Sequence, residues 1–288
     1  MMPNGGVDEQ IKFSSGHIAV MFISTKGLFK DEEKKVLNAI LSSMDKNIDS
    51  VIFYGFCFGR YDLVVEFKEN SAKVASNIVC DLQDKIVKTI QEEKREIKDP
   101  ICSSLTLCNK ISSNKIGSKD IINGCPIRTY TFLKPKIEGV KLEYVIKKLK
   151  PSMELFWTSS SYTFLLCTNG YNFSKVFSEI LEFREDTRQY FSESCTYVGL
   201  AWAGEEEPVE EGIKVLTFVK LKACYGGLKL KPDEKVIWTM DKRLGWSDIS
   251  LGTQKPTLRE IKEKILELRK NHDEIANTST LILPRERE

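Results

Sequence analysis

Two glycine-aspartate turns carry the residues best suited to chemistry in this sequence. Gly59, Tyr61 and Asp62 stand together in one turn, and Gly245 and Asp248 repeat the spacing of glycine, two residues, then aspartate. Glycine allows a positive φ and a close approach of the backbone to a ligand, and a carboxylate beside it can hold an ammonium group. A structural alternative stays open, because a turn aspartate also accepts backbone hydrogen bonds that fix the turn.

Other kinds of reactive site find little support in the sequence. The eight cysteines form no CxxC pair, and His17 and His272 are the only histidines, so the spacing does not indicate a zinc site. Most of the cysteines lie in apolar segments, which favours buried thiols. The GxxxxGK[ST] phosphate-binding pattern is absent, and neither histidine stands beside a serine or cysteine nucleophile. We therefore predict no catalytic residue, no bound metal and no cofactor.

The hydrophobic pattern that surrounds these turns predicts an α+β fold of tandem ferredoxin-like units. Short β-branched strands alternate with segments of helical periodicity in the order βαββαβ, which is the ferredoxin-like order. The pattern occurs three times, and in the third occurrence the segment for the first helix is short and contains Gly226, Gly227 and Pro232. We predict units at residues 17–110, 125–203 and 212–288, with the first helix of the third unit reduced.

Composition limits the partners of the chain. The 43 basic and 41 acidic residues leave a formal net charge of +2, so no bulk field attracts nucleic acid or a membrane. No apolar run approaches the roughly 18 residues that a membrane-spanning helix needs, so we predict no membrane partner. Residues 1–16 lack the apolar core of a signal peptide, and we interpret them as a flexible lead of a cytoplasmic protein.

Two clusters have both a functional and a structural interpretation. The aromatic residues of one strand and its turn could stack nucleobases, but packing in a core or interface is favoured, because basic residues are sparse beside them; they are Phe53, Tyr54, Phe56, Phe58 and Tyr61. The basic residues near the C-terminus alternate with glutamates at helical spacing, so we interpret them as a solvated face; they are Arg259, Lys262, Lys264, Arg269 and Lys270.

The βαββαβ order, with Gly59-Arg60-Tyr61-Asp62-Leu63 opening the third strand, resembles the effector-binding domain of the Lrp/AsnC regulators. The resemblance is good over residues 17–109, partial over 213–283 and architectural over 126–202. It implies a dimeric α/β-barrel arrangement in which the sheets of two units pack together. It also implies an amino acid or small-metabolite pocket near Gly59, Tyr61 and Asp62, and more weakly near Gly245 and Asp248.

One departure from that family changes the expected function. Regulators of the family carry a helix-turn-helix domain, and no segment here offers two short helices with a basic recognition face. We therefore predict no sequence-specific DNA binding by the chain alone. The favoured hypothesis is a non-enzymatic regulatory or small-molecule-sensing module that modulates transcription through a protein partner or as a homodimer. RNA binding or processing is the alternative, and an enzyme that uses the barrel cavity is a third.

Overall fold

The computed structural model describes residues 17–24, 51–68, 77, 80, 81, 84, 88, 102–113, 125–137, 139–158, 162–202, 210, 213–221, 236–238, 249–255, 257–272 and 275–283. Gly245 and Asp248 lie outside these residues, and so does the segment in which a reduced first helix is predicted for the third unit. Among the described helices, none is long and apolar enough to cross a membrane.

Eight antiparallel strands close into a barrel. The first four are β1 (His17–Ser24), β2 (Val51–Phe58), β3 (Leu63–Lys68) and β4 (Cys102–Ser113). The next four are β5 (Ile127–Pro135), β6 (Met153–Thr158), β7 (Phe164–Gly170) and β8 (Phe191–Ala201). The order around the barrel is β1-β3-β2-β8-β5-β7-β6-β4, so each group of four keeps the same internal order and two seams join the groups. This arrangement confirms the predicted α+β fold with a dimeric α/β-barrel architecture; the exact unit boundaries stay a prediction.

The strands separate an inner from an outer set of side chains, because successive residues of a strand point to opposite faces. Ile18, Val20 and Phe22 of β1 belong to the apolar cluster inside the barrel, whereas Ala19, Met21 and Ile23 belong to a cluster on its outside. Helices α1 (Leu142–Lys147) and α2 (Phe173–Thr187) cover the outer face of the second group of strands. The outer face is thus a conventional apolar core, whereas the inner face also carries charged residues.

The C-terminal part of the chain forms a second sheet that docks on the barrel. Its strands are β9 (Ile213–Leu221), β10 (Val236–Trp238), β11 (Ile249–Lys255) and β12 (Ile275–Leu283), in the order β10-β11-β9-β12. Helix α3 (Leu258–Asn271) begins after Thr257, whose side chain accepts a hydrogen bond from the Glu260 backbone N–H at 3.2 Å, as the capping pattern predicts. Apolar residues of α3 and β9 join the core on the outside of the barrel; they are Ile213, Val215, Leu258, Ile261, Ile265 and Leu266.

Candidate ligand site at the aromatic mouth of the barrel

One end of the barrel interior holds a network of buried charged residues. Arg128 on β5 is 1% exposed, and its guanidinium forms a bidentate pair with Glu66 on β3, in which Nη2 lies 2.6 Å from Oε1. The same guanidinium donates to Asn169 Oδ1 at 2.6 Å and to Glu154 Oε2 at 3.2 Å. We call the charged network the set Glu66, Lys110, Arg128, Tyr130, Glu154 and Asn169. Buried charges need such pairing, because the barrel interior does not solvate them.

Two further contacts complete the charged network and set its protonation states. Lys110 Nζ lies 2.8 Å from Glu154 Oε1, and the Tyr130 hydroxyl donates to Glu66 Oε2 at 2.9 Å. Burial alone would raise the pKa of the Glu154 carboxyl, but Arg128 and Lys110 outweigh it and hold that pKa below its usual value. Burial, with Glu66 next, raises the pKa of Tyr130 well above its usual range. Glu154 therefore stays a carboxylate between Arg128 and Lys110, and Tyr130 stays a neutral donor.

The opposite end of the barrel is filled by aromatic rings. Phe22 packs against Tyr61 with ring centroids 5.4 Å apart and against Tyr197 at 4.9 Å. Phe132 makes edge contacts with Tyr162 at 6.1 Å and with Tyr197 at 6.0 Å. Phe22 and Phe132 are buried, while the three tyrosines are only half-buried. We call these five rings the aromatic mouth, since they form a buried floor and a partly exposed rim.

Equivalent strand registers place the rings of the aromatic mouth. Ile23 of β1 pairs with Leu63 of β3, and Leu133 of β5 pairs with Phe164 of β7. Phe22 and Phe132 each precede the paired residue of β1 or β5 by one position, so they are equivalent in the two groups of strands. Tyr61 and Tyr162 each precede the first residue of β3 or β7 by two positions, so they are equivalent as well. The repeated fold therefore delivers a pair of phenylalanines and a pair of tyrosines to the same end of the barrel.

Polar atoms at the aromatic mouth are hydroxyls and thiols. Tyr197 and Cys195 are half-buried neighbours on the inner face of β8, and Cys57 is buried beside them. Burial and then Cys195 raise the pKa of the Tyr197 hydroxyl above its usual value, so this hydroxyl stays protonated. The aromatic mouth can thus stack on a flat molecule and donate a hydrogen bond to it.

Gly59 lies directly against the Tyr197 ring of the aromatic mouth. Its φ is +127°, a backbone conformation that side-chain-bearing residues rarely adopt. A Cβ placed there would lie 2.8 Å from Cδ1 of Tyr197, which is closer than a van der Waals contact. Gly59 is therefore required both by the turn and by the position of the Tyr197 ring. The positive φ agrees with the structural interpretation of this glycine.

Asp62 directly follows the rim residue Tyr61, but its side chain faces the C-terminal sheet and its helix. Asp62 is 6% exposed, and its Oδ1 lies 2.9 Å from Arg269 Nη1 and 3.4 Å from Lys262 Nζ, both on α3. The backbone of Gly59 joins the same interface, since its N–H donates to Thr280 Oγ1 at 2.8 Å and its oxygen accepts from the Thr280 N–H at 3.1 Å. The turn is a docking point for α3 and β12.

The structure thus separates the predicted site residues. Tyr61 belongs to the aromatic mouth, Gly59 lies behind it, and Asp62 faces α3; ligand binding at these residues stays a prediction. The interpretation of the basic helix as a solvated face is wrong for Lys262 and Arg269, which are 3% and 6% exposed. These two cations are buried because their partner, Asp62, comes from a turn some 200 residues earlier in the chain.

Sequence reasoning missed the charged network. Glu154 is the only charged residue of β6, and Glu66 and Arg128 are the only charged residues of β3 and β5 apart from a lysine near the end of each strand. In β3, the predicted apolar face of Leu63, Val65 and Phe67 is correct, but it faces the outer core, so Glu66 faces inward. A charged residue away from the strand end, on the face opposite the apolar outer core, was the available signal for a buried network.

Comparison with known proteins finds distant similarity to solved structures. No protein-family model matches the chain, and no curated protein matches it either. Among solved structures, a chlorite dismutase from Candidatus Nitrospira defluvii is similar, with a TM-score of 0.46 and 9% identity over 66% of this chain and 92% of that one. A heme-binding protein from Thermus thermophilus has a TM-score of 0.45 and 8% identity over 66% and 92% of the two chains. Likeness at this level concerns architecture alone.

These comparisons correct the predicted function. The two similar structures named above are described as a chlorite dismutase and a heme-binding protein, and neither is described as an Lrp/AsnC regulator or an RNA-binding protein. The prediction of a regulatory or sensing module of the Lrp/AsnC type, with RNA binding as its alternative, is therefore wrong. The resemblance was carried by strand order and a short turn, which many proteins of this fold share.

The described residues do not fit heme. Heme needs an axial side chain that faces an open pocket. His17 begins β1 at the end of the barrel that holds the charged network, and His272 is 9% exposed after α3. At the aromatic mouth, ring centroids 4.9 to 6.1 Å apart leave no slot for a macrocycle between the rings, and the raised pKa of Tyr197 disfavours a tyrosinate ligand. We derive no chemistry through heme.

Proposed function

We propose that the aromatic mouth binds a flat, largely apolar small molecule that carries a hydrogen-bond acceptor. The observation that supports this proposal is the half-exposed rim of Tyr61, Tyr162 and Tyr197 above the buried Phe22 and Phe132. Partly exposed aromatic rings that cluster at one end of the barrel offer a stacking surface, and aromatic stacking contributes about 0.5–1.5 kcal/mol per pair beyond the area that it buries.

Hydrogen bonding from the rim would orient the ligand. The Tyr197 hydroxyl stays protonated because its pKa is raised, so it serves as a donor across the physiological pH range. The ligand of this proposal carries a carbonyl or ring-nitrogen acceptor near one edge and needs no positive charge. Asp62 plays no part in its recognition, because Lys262 and Arg269 already lie against that carboxylate.

The charged network occupies the other end of the barrel, so a ligand would bind at the aromatic mouth. Arg128, Glu66 and Glu154 fill the other end of the interior with paired charges, which would not accept an apolar molecule without loss of their pairing. A ligand would lie against the rim tyrosines, which the buried phenylalanine floor supports. Binding would displace water from the rings, which is favourable for an apolar surface.

A matched pair of ligands and a matched pair of tyrosines test this proposal. Coumarin is flat and carries a carbonyl, whereas octahydrocoumarin keeps the carbonyl and loses the planarity. Coumarin is expected to raise Tm in a thermal-shift titration and octahydrocoumarin is not. Tyr61→Ala and Tyr162→Ala are each expected to weaken coumarin binding at least tenfold, about 1.4 kcal/mol.

Tyr144→Ala supplies the control for tyrosine removal. Tyr144 and Tyr190 are also half-buried, and their ring centroids are 5.6 Å apart, the same separation as Tyr61 and Tyr197, but they lie outside the barrel. Coumarin binding should be unchanged in this variant. Equal losses in Tyr61→Ala and Tyr144→Ala, or equal binding of the two lactones, would refute the proposal.

A further inference from the structure

A second concave site lies on the outer side of the barrel, between the last turns of α2 and the beginning of β8. It is a groove of about 430 Å³, which is within the usual size range of small-molecule sites. Its apolar part consists of Leu133, Leu181 and Phe191. Its polar part includes Arg184 on α2, Arg188 directly after α2, and Ser194 on β8. The groove contains none of the rings of the aromatic mouth.

The two arginines give the groove a positive side. They are four residues apart, and Arg188, the C-cap of α2, keeps helical backbone angles, so both project from the same side of the helix. Both are exposed, and neither forms an ion pair within the part of the chain that the structure describes. Of the two acidic residues in the lining, Glu193 lies 3.1 Å from Lys134, so its charge is already balanced. Apart from Glu193, the lining therefore contains two guanidinium groups and one carboxylate, that of Glu185.

A serine hydroxyl in the groove has unused hydrogen-bonding capacity. Ser194 Oγ is shielded from solvent and makes no hydrogen bond with any described residue. Thr187, in the same lining, differs because its hydroxyl donates to the Phe183 carbonyl at 2.6 Å. A shielded hydroxyl without a partner is unfavourable, and a ligand oxygen bound beside it would supply the missing hydrogen bond.

We infer that this groove binds a small organic monocarboxylate with an apolar chain. The carboxylate would pair with the guanidinium groups of Arg184 and Arg188, which match its geometry, and one oxygen would accept from Ser194. The chain would lie against Leu133, Leu181 and Phe191. Basic residues in a last helical turn also stabilise the helix dipole, but that role does not require an apolar groove or an unpartnered serine beside them.

Octanoate and octan-1-ol are the probes, because they share an apolar chain and differ in charge. By isothermal titration calorimetry, octanoate is expected to bind the full chain at least tenfold more tightly than octan-1-ol. The double variant Arg184→Gln and Arg188→Gln should lose at least tenfold in octanoate affinity, and Ser194→Ala should lose several-fold. Lys175→Gln removes a charge from the exposed first turn of the same helix and should bind octanoate as the wild type does.

The outcomes also separate this groove from the aromatic mouth. Tyr61→Ala should leave octanoate binding unchanged, whatever it does to coumarin. The inference is overturned if octanoate gives no binding at millimolar concentration, if octan-1-ol binds equally well, or if Tyr61→Ala abolishes octanoate binding. If the double arginine variant fails to fold by circular dichroism, the Ser194→Ala result decides: affinity equal to that of the wild type overturns the inference.

Discussion

The two ends of one barrel are built from the same repeated fold and contain opposite chemistry. At the aromatic mouth, equivalent positions hold equivalent residues: Phe22 corresponds to Phe132 and Tyr61 to Tyr162. At the charged end the correspondence is lost, since Arg128 stands where the first group of strands has Ile18, and Glu66 stands where the second has Cys167. The residues of the charged network thus differ between the two groups of strands, whereas these residues of the aromatic mouth are the same in both groups.

This difference indicates separate tasks for the two ends. A charged network assembled from β3, β4, β5, β6 and β7 ties the two groups of strands together and selects one arrangement of the halves. Apart from the partly exposed Lys110 its members are buried, and its charged groups are paired with one another, so they have little left to offer a ligand. The aromatic mouth keeps its tyrosines partly exposed, which is why we place the ligand site there.

The largest expected effect comes from removing the cation at the centre of the charged network. Arg128→Met leaves Glu66 and the inner side of Glu154 buried without their main partner. The free energy of unfolding is expected to fall by about 3–5 kcal/mol, the usual cost of breaking a buried ion pair by removing one partner. Urea denaturation measures it, and a loss under about 1 kcal/mol would show that the network does not lock the barrel.

At the aromatic mouth, the largest expected effect comes from Gly59→Val. The variant forces a β-branched residue to a φ of +127° and places its Cβ 2.8 Å from the Tyr197 ring. We expect a stability loss of about 1–3 kcal/mol from the backbone alone, together with loss of coumarin binding as Tyr197 is displaced. Wild-type coumarin affinity in a folded Gly59→Val protein would contradict this placement of the ring.

The two hairpin turns offer a matched comparison of smaller size. Asp62 contacts Lys262 and Arg269, whereas the equivalent position in the second hairpin is Thr163, which carries no charge. Asp62→Asn should lower the unfolding free energy by about 1 kcal/mol, because the amide keeps the hydrogen-bond acceptor but exchanges a charge-assisted hydrogen bond for a weaker neutral one, and should loosen the C-terminal sheet in hydrogen exchange. Thr163→Ala should do neither. Equal effects of the two substitutions would rule out docking through Asp62.

The pH dependence of stability provides the smallest expected effect. Because the pKa of Glu154 is lowered in the folded protein, its contribution is complete above the unfolded value of about 4.3 and is lost as pH falls through the folded value. The stability difference between wild type and Glu154→Gln should therefore shrink as pH falls below about 4. Urea titrations at several pH values measure this difference. A stability difference that stays constant down to pH 2 would contradict a lowered pKa of Glu154.

The sequence was sufficient for the architecture because strand alternation and helical periodicity are local patterns. The capping pattern at Thr257 and the apolar face of α3 also follow from short stretches. The partners of Asp62 could not be predicted, because Lys262 and Arg269 come close only once α3 has docked. The charged network was hidden for the same reason: which face of β3 looks inward depends on how two groups of strands close into a barrel.

Alkylation of Cys195 tests the aromatic mouth most directly. Cys195 is half-buried beside Tyr197 inside the aromatic mouth, whereas Cys80 is exposed at a distant position. With saturating coumarin, iodoacetamide labelling followed by peptide mass spectrometry should show Cys195 modified at least tenfold more slowly and Cys80 at an unchanged rate. Equal labelling rates of Cys195 with and without coumarin bound would contradict the account.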